Sequence, residues 1–172
     1  MVRIRPTAEV ADAAAVVAAD AVAELAHLVP AATVEHVGAT AFIDGWTKGD
    51  VDLSVVVPAA DFDGTVAVLR RHYDMAQPEN WTATFASFSV PGHALPLGLQ
   101  VAVAGSSSDF LVDLCDLFRS RPDLREAYDA TKLATADQGA EAYWQAKDAF
   151  LADVLAEHLP SSAPVADRAA DR

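Results

Sequence analysis

From Thr7 to Leu28 the apolar residues Val10, Ala14, Val17, Ala21, Leu25 and Leu28 recur at spacings of three and four. Glu9, Asp12, Asp20 and Glu24 lie mostly off that stripe. The spacing predicts an amphipathic helix, with Thr7 as its N-cap and Pro30 just beyond its end. A short extended run follows, Thr33 to Val37, and then a segment rich in turn formers at 38–49. Asp50 to Val57 alternates at first and then becomes continuously apolar, the pattern of a strand near the centre of a sheet, closed by Pro58.

Ala60 to His72 reads as a helix, with Phe62, Val66 and Leu69 on one face. Tyr73–Ala76, Trp81–Val90 and Leu95–Ala104 are strand-like, and Pro91 and Gly92 make the last two a hairpin. Ser106, Ser107 and Ser108 are placed to cap a helix whose apolar face is Phe110, Leu111, Leu114, Leu117 and Phe118. Pro122 opens another helix, to about Thr135, where its missing N–H costs nothing. A last helix runs from about Gln138 to His158, with Tyr143, Ala146, Phe150, Val154 and Leu155 inward. The reading is one α+β domain over residues 1–159, a small mixed sheet flanked by helices with a helical C-terminal part. Residues 160–172 are expected to form a disordered, low-complexity tail.

Composition changes this picture in three places. Of the 172 residues 37 are Ala, so the hydrophobic share of 52% overstates the core, which must be built from relatively few Val, Leu and Phe. The formal charge of −13 argues against nucleic acid and against anionic membrane surfaces as partners. One cysteine, Cys115, excludes an internal disulfide and any multi-cysteine metal site, and its helical position suits packing. No apolar run approaches the ~18 residues of a membrane span, and Glu9, Asp12 and Asp20 interrupt the N-terminal apolar stretch, so a cytoplasmic protein is expected.

The chemistry concentrates in residues 34–57. A Gly-containing turn at Gly38 follows a short strand, and Asp50 and Asp52 stand one residue apart at the start of the next. Alternate strand side chains share a face, so the two carboxylates project together, with Cα atoms roughly 6–7 Å apart. Such a pair can share Mg²⁺, which takes one or two protein carboxylates plus substrate phosphates. Backbone N–H groups at the turn can meet a phosphate oxygen.

A strand, a Gly-Ser turn and an Asp-x-Asp strand about ten residues on resemble the nucleotidyltransferase superfamily with the polymerase-beta-like fold. Within it the chain is similar to the GrpB family. His36, Val37, Gly38, Thr40, Gly45, Lys48 and Asp52 fall in register with a first family motif, and Arg119, Pro122, Tyr128, Lys132, Tyr143, Lys147 and Phe150 with a second. The resemblance covers most of residues 5–158. It implies Mg²⁺ on Asp50 and Asp52, a nucleoside triphosphate held by Gly38, Ala39 and Thr40 with His36, Lys48 and Tyr143 near it, and Lys132 or Lys147 stabilising the transferring group. The acceptor, given the charge, would be a small molecule or a protein. The chain has only three lysines, Lys48, Lys132 and Lys147, and each falls at a motif position.

Departures from the pattern carry a second reading. Ala39 stands where the superfamily has Ser, Gln100 is the nearest polar group where a third carboxylate is usual, and residues 81–103 contain no Arg or Lys. Asp50, in turn, is a carboxylate where relatives carry an apolar residue. These changes suit a member that keeps the fold as a ligand-binding or protein-interaction module, or one with altered chemistry in a specialised metabolic pathway.

Overall fold

The structure is a computed structural model that describes residues 1–42 and 44–159. The expected C-terminal tail lies outside the described residues. In chain order the elements are β1 (Arg5–Pro6), α1 (Ala11–Leu28), β2 (Thr33–Val37), β3 (Trp46–Thr47), β4 (Val51–Val57), α2 (Phe62–Leu69), β5 (Asp74–Met75), β6 (Phe85–Val90), β7 (Leu97–Val103), α3 (Leu111–Ser120), α4 (Pro122–Thr135) and α5 (Ala140–His158). One sheet has the order β2-β4-β7-β6-β5, and β1 pairs with β3 in a separate two-stranded ribbon. β4 and β7 run parallel while β2 on β4, β6 on β7 and β5 on β6 are antiparallel, so the sheet is mixed.

The Val-rich β4 sits between two strands because its β-branched side chains suit a pleated surface covered on both sides. Val51, Leu53, Val55 and Val57 point to one face and are fully buried against α1 and α2. The stripe expected on α1 is the one that packs there: Ala14, Val17, Ala21 and Leu25 all join this core. A second, smaller core holds the C-terminal helices together around Leu114, Phe118, Val154 and Leu155, with Phe42 reaching into it from the turn after β2. The opposite face of β4, bearing Asp52 and Ser54, therefore looks toward the helical part.

Local expectations fail at the caps. Thr7 caps no helix: it begins a separate 3₁₀ turn, α1 starts behind Val10, and the buried Thr7 hydroxyl has no hydrogen-bond partner. The serines at 106–108 do not cap α3, which begins after Phe110. Ser106 instead accepts a bond from the Ser108 amide, and Ser108 bonds Thr84 across to the sheet. The run 81–90 is a strand only from Phe85, because Pro78–Asn80 form a 3₁₀ turn and Thr82 bridges back to Phe85. The ribbon of β1 and β3 escapes a periodicity reading altogether, since two-residue strands carry no alternation.

Candidate active site

Asp52 stands second in β4, where the strands on both sides bring a glycine against it. Its register partners are Val37 on β2, the residue before Gly38, and Gly98 on β7. A Cβ on Gly38 would stand 2.8 Å from Asp52 Oδ2, and one on Gly98 3.2 Å from Oδ1. Gly38 also has φ +76°, a conformation that side-chain-bearing residues rarely adopt. The turn glycine is thus required twice, by its backbone and by the carboxylate seated against it. Above Gly98 only Asp52 Oδ1 and the Phe88 carbonyl lie within 4 Å.

Burial pushes Asp52 up to about 6, and the charge of Asp50 pushes the same way; Lys147, Lys48 and the Gln100 amide pull it back. Two carboxylates held together with one partly desolvated make a spot of concentrated negative potential. Asp50, just before the strand, is tied to Lys48 by a 2.7 Å ion pair. Gln100, diagonal to Asp52 on β7, occupies the third-carboxylate position with a neutral amide.

Lys147 comes to this cluster from α5. Burial lowers its pKa, the Asp52 charge opposes that, and among the described residues no carboxylate oxygen lies within 4.0 Å of its ammonium. Trp144, one turn earlier, carries Lys147 Nζ at 4.6 Å and Lys48 Nζ at 4.5 Å from its ring centroid. Trp144 is 41% exposed. The available signal was helical phase: with Tyr143 inward, its neighbour lies about 100° around the helix and faces outward. Cys115 of α3 packs beside Gly38, where burial pushes its thiol up and a bond from the Gly38 backbone opposes that.

The other expected site residues serve different ends. Thr40 donates its hydroxyl proton to the Asp50 carbonyl at 2.9 Å. Having one proton, it must accept from His36 Nε2 at 3.0 Å, so His36 is the Nε2–H tautomer. His36 pairs with Leu53 and so leaves the sheet on the face opposite Asp52; burial and then Arg119 hold its pKa down. Lys132 is 3% exposed, bonded to Asp129 at 2.7 Å and to the Trp46 carbonyl, with Tyr128 under its ammonium. Tyr143 is buried edge-on to Trp144 and its hydroxyl is pushed up to about 12, chiefly by burial. Ala39 lines a small hollow facing Tyr128 and Lys132, and an open groove of about 380 Å³ lies beyond it between residues 44–46 and α4.

The metal question turns on the donor set. Asp50, which is ion-paired to Lys48, and Asp52 offer two hard oxygen donors, a set that fits one Mg²⁺ completed by water and phosphate oxygens. Among the described residues no group of three His, Cys, Asp or Glu side chains converges, so the donors do not make a second metal position or a closed metal cage.

The family model described as "GrpB protein" matches residues 7–157. A UPF0157 protein from Vibrio cholerae serotype O1 is 26% identical over 134 residues, 78% of this chain and 71% of that protein. The crystal structure of the conserved protein GrpB from Enterococcus faecalis superposes with a TM-score of 0.71 at 16% identity, over 92% of this chain and 98% of that one. A structure of Cid1, described by its RNA terminal uridylyl transferase activity, matches with a TM-score of 0.50 at 12% identity, over 74% of this chain but 39% of its own. At these identities the structural likenesses speak for the fold, a nucleotidyltransferase-like one. Among the described residues no helix is long and apolar enough to cross a membrane.

Proposed function

The chain belongs to the GrpB family, with a nucleotidyltransferase-like fold, and on that premise we propose that the Asp52 cluster binds a nucleoside triphosphate with Mg²⁺ and transfers its nucleotidyl group to a small-molecule or protein acceptor. The observation that carries the reading is Asp52 seated between Gly38 and Gly98, beside Asp50 and facing Lys147. Asp50 and Asp52 would hold the ion, which supplies neutralisation of phosphate charge when bound. The Ala39 and Thr40 backbone N–H groups of the turn would meet the phosphates, the Gly38 backbone being bonded to the Cys115 thiol. The chain Nε2–H of His36 to Thr40 to the Asp50 carbonyl fixes this turn against the strand that carries the carboxylates. Lys48 and Lys147 bring positive charge to the transferring group, so the contribution is positioning and electrostatic stabilisation. Lys132 supports the fold around the site from the other side of the 38–48 segment. The excess negative charge of the chain disfavours a polynucleotide acceptor and fits a soluble cytoplasmic setting.

A second reading is binding without transfer, and Gln100 favours it. An amide beside Asp52 can hold a ligand or acceptor but cannot accept its proton. Thermal unfolding with each nucleoside triphosphate, with and without Mg²⁺, tests the common part of both readings. The wild type is expected to shift upward with Mg²⁺ and a triphosphate, and Asp52→Asn to lose the shift. No shift with any nucleotide sinks both. Pyrophosphate release on adding candidate acceptors then separates transfer from binding.

A further inference from the structure

Lys48 and Lys147 come from separate parts of the chain, one from the loop before β4 and one from α5, yet both ammonium groups rest on one indole ring. Like charges brought together repel unless something holds them. Lys48 has Asp50 as a partner, whereas Lys147 has no carboxylate within 4.0 Å and is part-buried. The group both share is Trp144, whose π-face attracts cations. Trp144 itself is 41% exposed, so hydrophobic burial is a weak reason for an indole at this position.

We propose that Trp144 is the positioning residue of a two-lysine anion seat, holding Lys48 and Lys147 around one ring so that together they bind the polyphosphate part of a ligand. The inference rests on the proposed nucleotide site but names what that site recognises: the polyphosphate, by charge, with the indole committed to the lysines. Tripolyphosphate alone is therefore a sufficient ligand, and the identity of the base has little influence on affinity. A phosphate chain bound to both ammonium groups brings negative charge close to the ring that carries them, so the emission of Trp144 changes on binding.

The test is titration of the full-length protein with sodium tripolyphosphate, read by calorimetry and by tryptophan emission. Trp144→Phe keeps a π-face and is expected to bind within about threefold of wild type, while Trp144→Leu, which has none, binds about tenfold more weakly. The emission change is expected in the wild type and lost in Trp144→Phe, since Trp46 and Trp81 remain as the unaffected background. Lys147→Met is expected to weaken binding at least as much as Trp144→Leu. Because Trp144 is exposed, circular dichroism should show all three variants folded. Equal affinity in Trp144→Leu and wild type overturns the proposal, as does a wild type that does not bind tripolyphosphate. If Mg²⁺–nucleotide binds the wild type and Trp144→Leu equally, the anion seat fails and the nucleotide site stands. If tripolyphosphate binds in a Trp144-dependent way and no nucleotide does, the seat stands and the nucleotide reading fails.

Discussion

Lys132 and Lys147 occupy matching places in two successive helices, and the fold treats them in opposite ways. Lys132 is sealed in: Asp129 and the Trp46 carbonyl take its protons, and Tyr128 lies beneath it, stacked between Phe118 and Phe150. The same corner holds the segment before β4, because Asp129 also accepts from the Trp46 amide and Arg125 bonds Asp44 at 2.6 Å. Lys147 has an indole and the field of two carboxylates around it, but no carboxylate in contact. A buried cation paired with a carboxylate and a carbonyl is committed to the fold, whereas one with no carboxylate in contact is open to an anion. Lysines of the same motif block thus have different surroundings, one ion-paired and one not.

The sharpest way to break this distinction is to remove each ammonium in turn. Lys132→Met leaves the half-buried Asp129 without its cation and with only the Trp46 amide as donor, and is expected to cost about 3–5 kcal/mol in urea unfolding. Lys147→Met should cost less than about 1 kcal/mol, since it deletes no salt bridge, while abolishing most anion binding. Equal losses of stability would erase the difference.

Asp52 sharpens the contrast through pH. Folded Asp52 titrates near 6 against an ordinary 3.8, so folding favours its protonated form. That contribution is fully present below 3.8 and lost as pH rises through about 6. Asp52→Asn should therefore unfold with a flatter pH dependence across this window and be more stable than wild type at pH 7–8 by roughly 1–3 kcal/mol. The gain in stability and the loss of ligand binding, measured together, mark a group held for function at the cost of stability.

Gly38→Ala probes the same carboxylate from the backbone side. Its Cβ would meet Asp52 Oδ2 at 2.8 Å in a left-handed conformation, so a loss of about 1–3 kcal/mol and of nucleotide binding is expected in chemical denaturation and titration. Thr40→Val removes the link between His36 and the Asp50 carbonyl and should cost about 1–2 kcal/mol, with weakened binding as Asp50 loosens. The smallest effect belongs to the exposed Arg121–Asp123 pair, where Arg121→Ala should leave the urea-unfolding midpoint and the binding unchanged.

The strands and helices that build the large core were legible in the chain because each has a period. The Ala14-to-Leu28 part of the stripe lands on the sheet, the continuous run of β4 is covered on both sides, and Pro122 opens α4 where expected. The caps were not legible: Thr7 and Ser106 bond, or fail to bond, according to what tertiary packing brings near them. The Asp50–Asp52 spacing, with Gly38 twelve residues before it, was readable from local order alone.

The sequence by itself determined which elements form and which residues carry charge at the start of β4, since both follow from local periodicity and spacing. Only the tertiary structure decided what each charge is for. Lys132 and Lys147 look alike along the chain, and so do Tyr143 and Trp144. Their surroundings diverge because burial and partners depend on residues almost a hundred positions away, such as Trp46 for Lys132 and Lys48 for Trp144. Electrostatic energy depends on distance and surrounding dielectric, and both are properties of the folded arrangement rather than of the order of residues.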